Sequence, residues 1–151
     1  GQLGGVVVLS LVQAAVYLTV GIITGVRIAG GPAGVLVLFL FAALVGLAFG
    51  ALGAFAALRT GSGEAVQSLF PAFFVFLFIS SMNIPRNLIE TTWFRYAATA
   101  NPVSYLLESV RSVIITGWDG QALALGFGIA AVLAVVALAA SSWALRVRMA
   151  R

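Results

Sequence analysis

Residues 34–58 read GVLVLFLFAALVGLAFGALGAFAAL and contain no charged side chain. A helix needs about 20 apolar residues to cross the hydrocarbon core of a bilayer, so this segment is long enough. Three further apolar blocks flank it, at residues 3–24, 65–84 and 122–145. The block at 65–84 is the marginal one, because polar residues stand at both of its ends. We predict an all-α integral membrane protein with four transmembrane helices at these positions.

The composition of the whole chain agrees with a lipid environment. Of its 151 residues, 62% are hydrophobic and 8% are charged, whereas a soluble domain has about 25% charged residues. The chain lacks the polar side chains that would have to cover this apolar surface in water. The composition therefore excludes a soluble enzyme, a secreted disulfide-stabilised domain and a disordered chain.

Several chemically active residue types are missing from the sequence. It holds no His and no Cys, and all eight of its cationic residues are Arg. This excludes Ser-His and Cys-His nucleophilic pairs, metal sites built on His or Cys, and a phosphate-binding loop that ends in Gly-Lys. The arginines are scattered and form no basic stripe, so the net charge of +4 does not indicate a nucleic-acid partner. We predict no catalytic residue and no metal site.

Residues 85–117, between the last two apolar blocks, form the most informative segment. Asn101-Pro102 predicts a helix start, with Asn as the N-cap and Pro at the first helical position. The helix would end at Gly117 and would have about 15 residues, which is too short to cross the membrane. Its apolar face follows helical spacing at Val103, Leu106, Leu107, Val110, Val113 and Ile114.

The charged residues of this segment predict two local ion pairs. Arg86 and Glu90 are spaced i, i+4, and Glu108 and Arg111 are spaced i, i+3. The aromatic residues of 93–96 favour the level of the lipid headgroups. Two structures fit this pattern. One is a re-entrant helical pair that dips into the outer leaflet, and the other is an amphipathic surface segment that caps the bundle.

The placement of arginine indicates an orientation. Arg146, Arg148 and Arg151 follow the last apolar block directly, which is typical of a cytoplasmic end. With an even number of spans, Arg59 falls on that same side and agrees, whereas Arg27 falls on the other side and opposes. We predict a cytoplasmic C-terminus.

Small residues at four-residue spacing predict close packing of the helix in block 34–58. They are Ala42, Gly46, Gly50 and Ala54. Gly21 and Gly25 form a further pair of this kind in block 3–24. Gln13, in the middle of that block, is interpreted either as an interhelical hydrogen-bonding residue or as part of a substrate path. Residues 59–64, RTGSGE, predict a flexible turn.

Several motifs occur in a fixed order along the second half of the chain. A phenylalanine-rich block with Phe70-Pro71 precedes MNIPRNLIE (82–90), WFRYAATANPVSYLLESVRS (93–112) and ITGWDG (115–120), and a final apolar block ends in arginine. In this order the motifs resemble the membrane subunit of bacterial ABC-2 type exporters, particularly the daunorubicin-resistance-like permeases. The resemblance covers nearly the whole chain.

The resemblance implies a six-span permease with an outward re-entrant helical pair before the last span. The chain would supply spans three to six as a single membrane domain. Because it begins at Gly1 without a charged leader, we expect it to be the C-terminal part of a longer protein. The implied assembly has two permease subunits, alike or different, and separate ATPase subunits that bind ATP and magnesium. It would export a drug, an antibiotic or a lipid-like molecule across the bacterial cytoplasmic membrane.

The resemblance also suggests which residues carry the function. The outer gate element would be built by Asn101, Pro102, Tyr105, Glu108, Arg111 and Gly117. From polarity and position we predict that a second set of residues lines the substrate path or the seam between two subunits: Gln13, Phe70, Phe73 and Phe74. The alternatives are a fragment of a secondary transporter, a class that usually carries ionisable residues inside its spans, and a structural membrane subunit.

Overall fold

The computed structural model describes residues 1–82 and 84–150, with all of their side chains except those of Ala65, Leu69, Phe70 and Asn87. Within these ranges the chain is helical and contains no strand, which confirms the predicted all-α class. The α-helices are α1 (Gln2–Ile23), α2 (Gly31–Thr60), α3 (Gly63–Gln67), α4 (Leu69–Phe78), α5 (Thr92–Ala100), α6 (Pro102–Arg111) and α7 (Gly120–Met149), with a 3-10 turn at Arg86–Leu88 and a π-helical turn at Ser112–Thr116.

Three of these helices, α1, α2 and α7, are long and apolar enough to cross a membrane. They correspond to three of the four predicted spans. The remaining block, 65–84, does not form one continuous helix, because α3 and α4 are separated at Ser68 and α4 ends before Ile79. The 10 residues of α4 extend for about 15 Å, half the thickness of the hydrocarbon core. The fourth span therefore stays a prediction.

Helices α2 and α7 run parallel and form the largest helix contact in the described structure. The rings of Phe41 and Phe127 lie 5.0 Å apart near the start of the two helices, and Ser141 Oγ donates to the Ala51 carbonyl at 2.6 Å further along. Small side chains on one face of α7 let the two backbones come close. The buried residues of that face are Gly126, Ala130, Ala134, Ala137, Ser141 and Ala144.

Helix α1 runs antiparallel to α2 and crosses it at two glycines. A Cβ atom on Gly50 would lie 2.9 Å from Val6 Cγ1, and one on Gly46 would overlap the hydroxyl of Ser10. These two positions therefore need glycine for the approach of α1. Gly25 has a φ of +97° and lies in the turn after α1, so it serves chain reversal and not helix packing.

Helix α6 lies antiparallel to the first half of α7. Ser109 Oγ donates to the Ala122 carbonyl at 2.7 Å, and Leu106 packs in the core with Phe41 and Ala130. Ala130 comes ten residues after Gly120, which is about 15 Å along α7. Helix α6 therefore begins at about the mid-height of the bundle and rises to the end at which α7 begins. We call that end the Gly120 end, and the opposite end the Met149 end.

The contact of α6 with α7 predicts a difference between two glycines on α7. A Cβ atom on Gly126 would lie 2.6 Å from Ser109 Cβ and 2.9 Å from the Tyr105 carbonyl oxygen, whereas one on Gly128 meets nothing within 4 Å. We expect Gly126→Ala to lower the free energy of unfolding in detergent by about 1–3 kcal/mol, because it overpacks the contact. Gly128→Ala is the matched control and should leave stability unchanged or raise it. Equal effects of the two substitutions would show that α6 does not pack on Gly126.

Candidate functional site

Asn101 joins the start of α6 to the end of α4. Its Oδ1 accepts from the backbone N–H of Val103 at 3.0 Å, and its Nδ2 donates to the Phe76 carbonyl at 2.5 Å. The side chain is buried, and Pro102 follows it at the first helical position. The predicted Asn-Pro helix start is confirmed. The same side chain also satisfies a carbonyl near the end of α4, which sequence spacing did not indicate.

Arg111 binds the backbone just after α4. Its Nη2 donates to the carbonyls of Ser81 at 2.7 Å and Met82 at 3.0 Å, while Nη1 is buried and has no hydrogen-bond partner. Ser81 is also tied to α6, because its N–H donates to Ser104 Oγ at 3.1 Å. The predicted pair of Glu108 with Arg111 is wrong. The guanidinium instead satisfies carbonyls 29 and 30 residues earlier in the chain.

Glu108 pairs with Arg86. Arg86 Nε and Nη2 donate to the two carboxylate oxygens of Glu108, each at 2.7 Å, and both side chains are about one-fifth exposed. The guanidinium lies 4.0 Å from the ring centroid of Tyr105, whose hydroxyl donates to the Thr99 carbonyl. The predicted pair of Arg86 with Glu90 is wrong, because the 3-10 turn ends at Leu88 and the chain continues extended.

The hydrogen bonds that Arg86 donates to Glu108 raise the pKa of Arg86 above its ordinary value, against the opposing effect of partial burial. A raised pKa on a cation means that its stabilising contribution is lost only as the pH rises through the pKa of arginine. The charge on the Arg86 side of the pair is therefore constant across the physiological range. This link between α6 and the segment at 86–88 does not switch through titration of its arginine.

The predicted helix end at Gly117 comes after an irregular turn. The α-helical part of α6 stops at Arg111, and the π-helical turn carries the chain to Gly117, which has a φ of +95°. The wider turn leaves carbonyls that face the connection between α1 and α2. Gly30 N–H donates to the Val113 carbonyl at 2.9 Å, and Ala29 N–H donates to that of Ile114 at 3.0 Å. Gly117 therefore ends a turn whose carbonyls are bonded to the connection between α1 and α2.

An apolar cavity of about 1030 Å³ lies among α1, α2, α4 and α6. Phe73 and Phe74 line it, and the ring of Phe73 contacts that of Phe49 with centroids 4.6 Å apart. Gln13 is exposed and is not among the lining residues, and the side chain of Phe70 lies outside the described residues. The predicted apolar face supplies one wall of the cavity through Val103, Leu106, Leu107 and Val110 of α6 and Ile114 of the π-helical turn.

A second cavity, of about 670 Å³, opens on the other side of α6 at the Gly120 end. Charged residues from four segments line it: Arg86, Arg95, Glu108, Arg111 and Asp119. Asp119 caps α7 by accepting from two backbone N–H groups. Among the described residues no group of three or more acidic side chains is placed to hold a metal ion. This arrangement of charged side chains can orient a polar group.

The stripe predicted on α2 is only partly a helix contact. Gly46 and Gly50 face α1, whereas Ala42 lines the apolar cavity and Ala54 is half-buried. The longer stripe of small residues on α7 was not predicted. Its spacing of three or four residues is visible in the sequence, but alanine is so frequent in block 122–145 that the spacing does not stand out.

One comparison with known proteins identifies the family. The family described as ABC-2 type transporter matches residues 1–115. The chain belongs to the ABC-2 type transporter family. The match spans α1 to α6 and most of the π-helical turn, and so includes the helix that lines both cavities. No curated protein and no solved structure matches the chain.

Membership of the ABC-2 type transporter family places the chain in a broad functional class. This is a family of transporter permeases, so the chain is a multi-pass membrane protein of the permease type, which is consistent with a non-enzymatic membrane subunit. The general partner of such a subunit is an ABC ATPase. The predicted resemblance is thereby confirmed at the level of the family.

The bidentate pair of Arg86 and Glu108 predicts non-additive stability effects. We expect Arg86→Gln and Glu108→Gln each to lower the free energy of unfolding, with a coupling energy of about 1–2 kcal/mol in a double-mutant cycle. The reason is that either substitution alone leaves a half-buried charge without its partner. Arg95→Gln is the control, because Arg95 is an exposed arginine of the same cavity and forms no ion pair among the described residues. Strictly additive effects of the two substitutions would contradict the pairing.

Proposed function

We propose that the chain is a membrane-spanning permease subunit of an ATP-driven ABC-2 exporter, which moves a hydrophobic or amphiphilic molecule out of the cell. The observation that carries this proposal is the family match over residues 1–115. A separate ATPase subunit, with ATP and magnesium, supplies the energy, and a second permease subunit, alike or different, completes the pathway. A secondary-transporter fragment or a structural subunit has no comparable support.

The substrate class follows from the apolar cavity. Its volume of about 1030 Å³ lies just above the range of about 300–1,000 Å³ for small-molecule sites. Its walls are mainly aromatic and aliphatic side chains, which favours a drug, an antibiotic or a lipid-like molecule over an ion or a sugar. The exposed apolar face of α1, which includes Val12, Val16 and Tyr17, is the surface on which the second subunit would complete the pathway.

The α5–α6 pair acts as a re-entrant element. Helix α6 lies beside the first half of α7, and the connection at Asn101 is level with the middle of the bundle. Helices α3 and α4 start from the Met149 end, and the chain after them reaches α6 at Ser81. On this proposal the fourth crossing would be made in two parts, first by α3 and α4 and then by the segment that leads into α5. These contacts support, as a proposal, four spans with α5–α6 as the outer gate.

We propose an orientation in which the Met149 end lies in the bacterial cytoplasm. Arg59, Arg146 and Arg148 lie at that end, and Arg151 is outside the described residues. At the Gly120 end, Arg86 is paired with Glu108 and Arg111 is bound to backbone carbonyls, so these two cations are held within the protein. The positive-inside rule therefore favours a cytoplasmic C-terminus.

The energy source is the decisive test of the proposed function. We expect the intact protein to co-purify with a separate ABC ATPase subunit, and the export of a hydrophobic dye from vesicles to stop when that ATPase is inactivated. Transport by the permease alone, driven by an ion gradient, would contradict the proposal.

Two phenylalanines on α4 provide a matched pair of variants for the same dye-export assay. Phe74 is 56% exposed and lines the apolar cavity, whereas Phe76 is 51% exposed and does not line it. Phe74→Trp should therefore lower the export of bulky dyes, and Phe76→Trp should not. An equal loss of dye export in the two variants would show that the cavity is not part of the transport path.

The absence of Cys from the chain allows topology to be tested with single-cysteine variants. We expect Gln121→Cys to react in intact cells with a membrane-impermeant maleimide, and Ala150→Cys to react only after lysis. Both positions are exposed and lie near the two ends of α7. Reaction of Ala150→Cys in intact cells, with Gln121→Cys protected, would reverse the orientation. Ala100→Cys, at the end of α5, should be shielded in intact cells, and rapid labelling there would favour the amphipathic surface segment.

A further inference from the structure

Two arginines meet in a cleft at the Met149 end of the bundle, far from the α5–α6 pair. The cleft has a volume of about 270 Å³ and lies between the C-terminal ends of α2 and α7. Helix α2 contributes Leu58, Arg59 and Thr60 to it, and α7 contributes Ala144, Val147 and Arg148. Its lining thus combines two cations with aliphatic side chains, in a chain in which charges are scarce.

Each arginine lies against the opposite element. The guanidinium of Arg59, at the end of α2, lies 5.4 Å from the ring centroid of Trp143 on α7. Arg148 Nη2, on α7, lies 3.9 Å from the position that a Cβ would take on Gly61, the residue that ends α2 with a φ of +71°. Both side chains line the cleft, and each of them reaches the element on its opposite side.

No anion within the described part of the chain neutralises this pair. Of the charged groups near this end, Arg59, Arg146, Arg148 and Glu64, none forms an ion pair among the described residues. The carbonyls at the C-terminal ends of two parallel helices add partial negative charge, which holds arginines in place but does not use all of their N–H groups. Among the described residues, the cleft therefore keeps a net positive charge at the C-terminal ends of α2 and α7.

We propose that this cleft binds the headgroup phosphate of an anionic phospholipid. Guanidinium groups bind phosphate oxygens in a planar, bidentate manner, and basic pockets between transmembrane helices suit lipid headgroups. The aliphatic side chains of Leu58, Ala144 and Val147 would contact the glycerol and the first methylene groups. Trp143, which contacts Arg59, is exposed near this end of α7, and tryptophan favours the level between headgroup and hydrocarbon. These amphiphilic walls favour a lipid over an acidic protein segment.

Trp143 makes the proposal testable by fluorescence. The chain, with Trp93→Phe and Trp118→Phe so that Trp143 is its sole tryptophan, is reconstituted in vesicles. Phosphatidylglycerol or phosphatidylcholine with brominated acyl chains then serves as the quencher, at equal bromine content. We expect phosphatidylglycerol to compete better for the site, by about fivefold for each arginine at the membrane surface. Arg59→Gln and Arg148→Gln should lower that preference, and the double variant should bring it close to one.

Arg146→Gln is the matched control, because Arg146 lies two residues before Arg148 and does not line the cleft. It should leave the preference unchanged. An equal loss in Arg146→Gln and Arg148→Gln would overturn the proposal in favour of general surface attraction. Equal quenching by the two lipids would also overturn it, and would leave an acidic protein segment as the occupant. Arg148→Lys is a control for misfolding, because it keeps the positive charge. It should retain part of the preference for phosphatidylglycerol, with unchanged helix content.

Discussion

The close parallel contact of α2 and α7 is the interaction on which the rest of the structure depends. In lipid the hydrophobic effect does not drive helices together, so association relies on close van der Waals packing and a few hydrogen bonds. The small buried face of α7 supplies the first, and the bond from Ser141 to Ala51 supplies the second. Helix α1 is then placed on α2 at Gly46 and Gly50, and α6 on α7 at Gly126.

Polar groups inside the bundle follow a second constraint, because a donor or acceptor without a partner in an apolar interior costs several kcal/mol. Ser10 and Ser142 donate to carbonyls of their own helices, and Ser141 donates both to its own helix and to Ala51 of α2. The polar side chains between α4 and α6 instead bond between elements, because the chain after α4 has no helix of its own to satisfy its carbonyls. This explains why so many polar side chains gather around α6.

Features encoded by local spacing were predictable from the sequence, and features that depend on distant partners were not. The Asn101-Pro102 start and the apolar face of α6 follow from rules within one helix, and the structure contains both. The partner of Glu108 lies 22 residues away in the chain, on a turn whose position only the tertiary fold determines. Similarly, hydropathy measures the length of an apolar block but does not detect the break at Ser68.

The amphipathic pattern of α6 has a structural consequence that neither of its faces shows alone. Its apolar face is a wall of the larger cavity, and its polar face, with Glu108 and Arg111, is a wall of the charged one. One short helix thus forms the partition between a space suited to hydrocarbon and a space suited to water. A partition made of helix backbone cannot be thinned by changing side-chain rotamers. The bonds of Asn101, Arg111 and the Arg86–Glu108 pair hold this partition against the neighbouring segments.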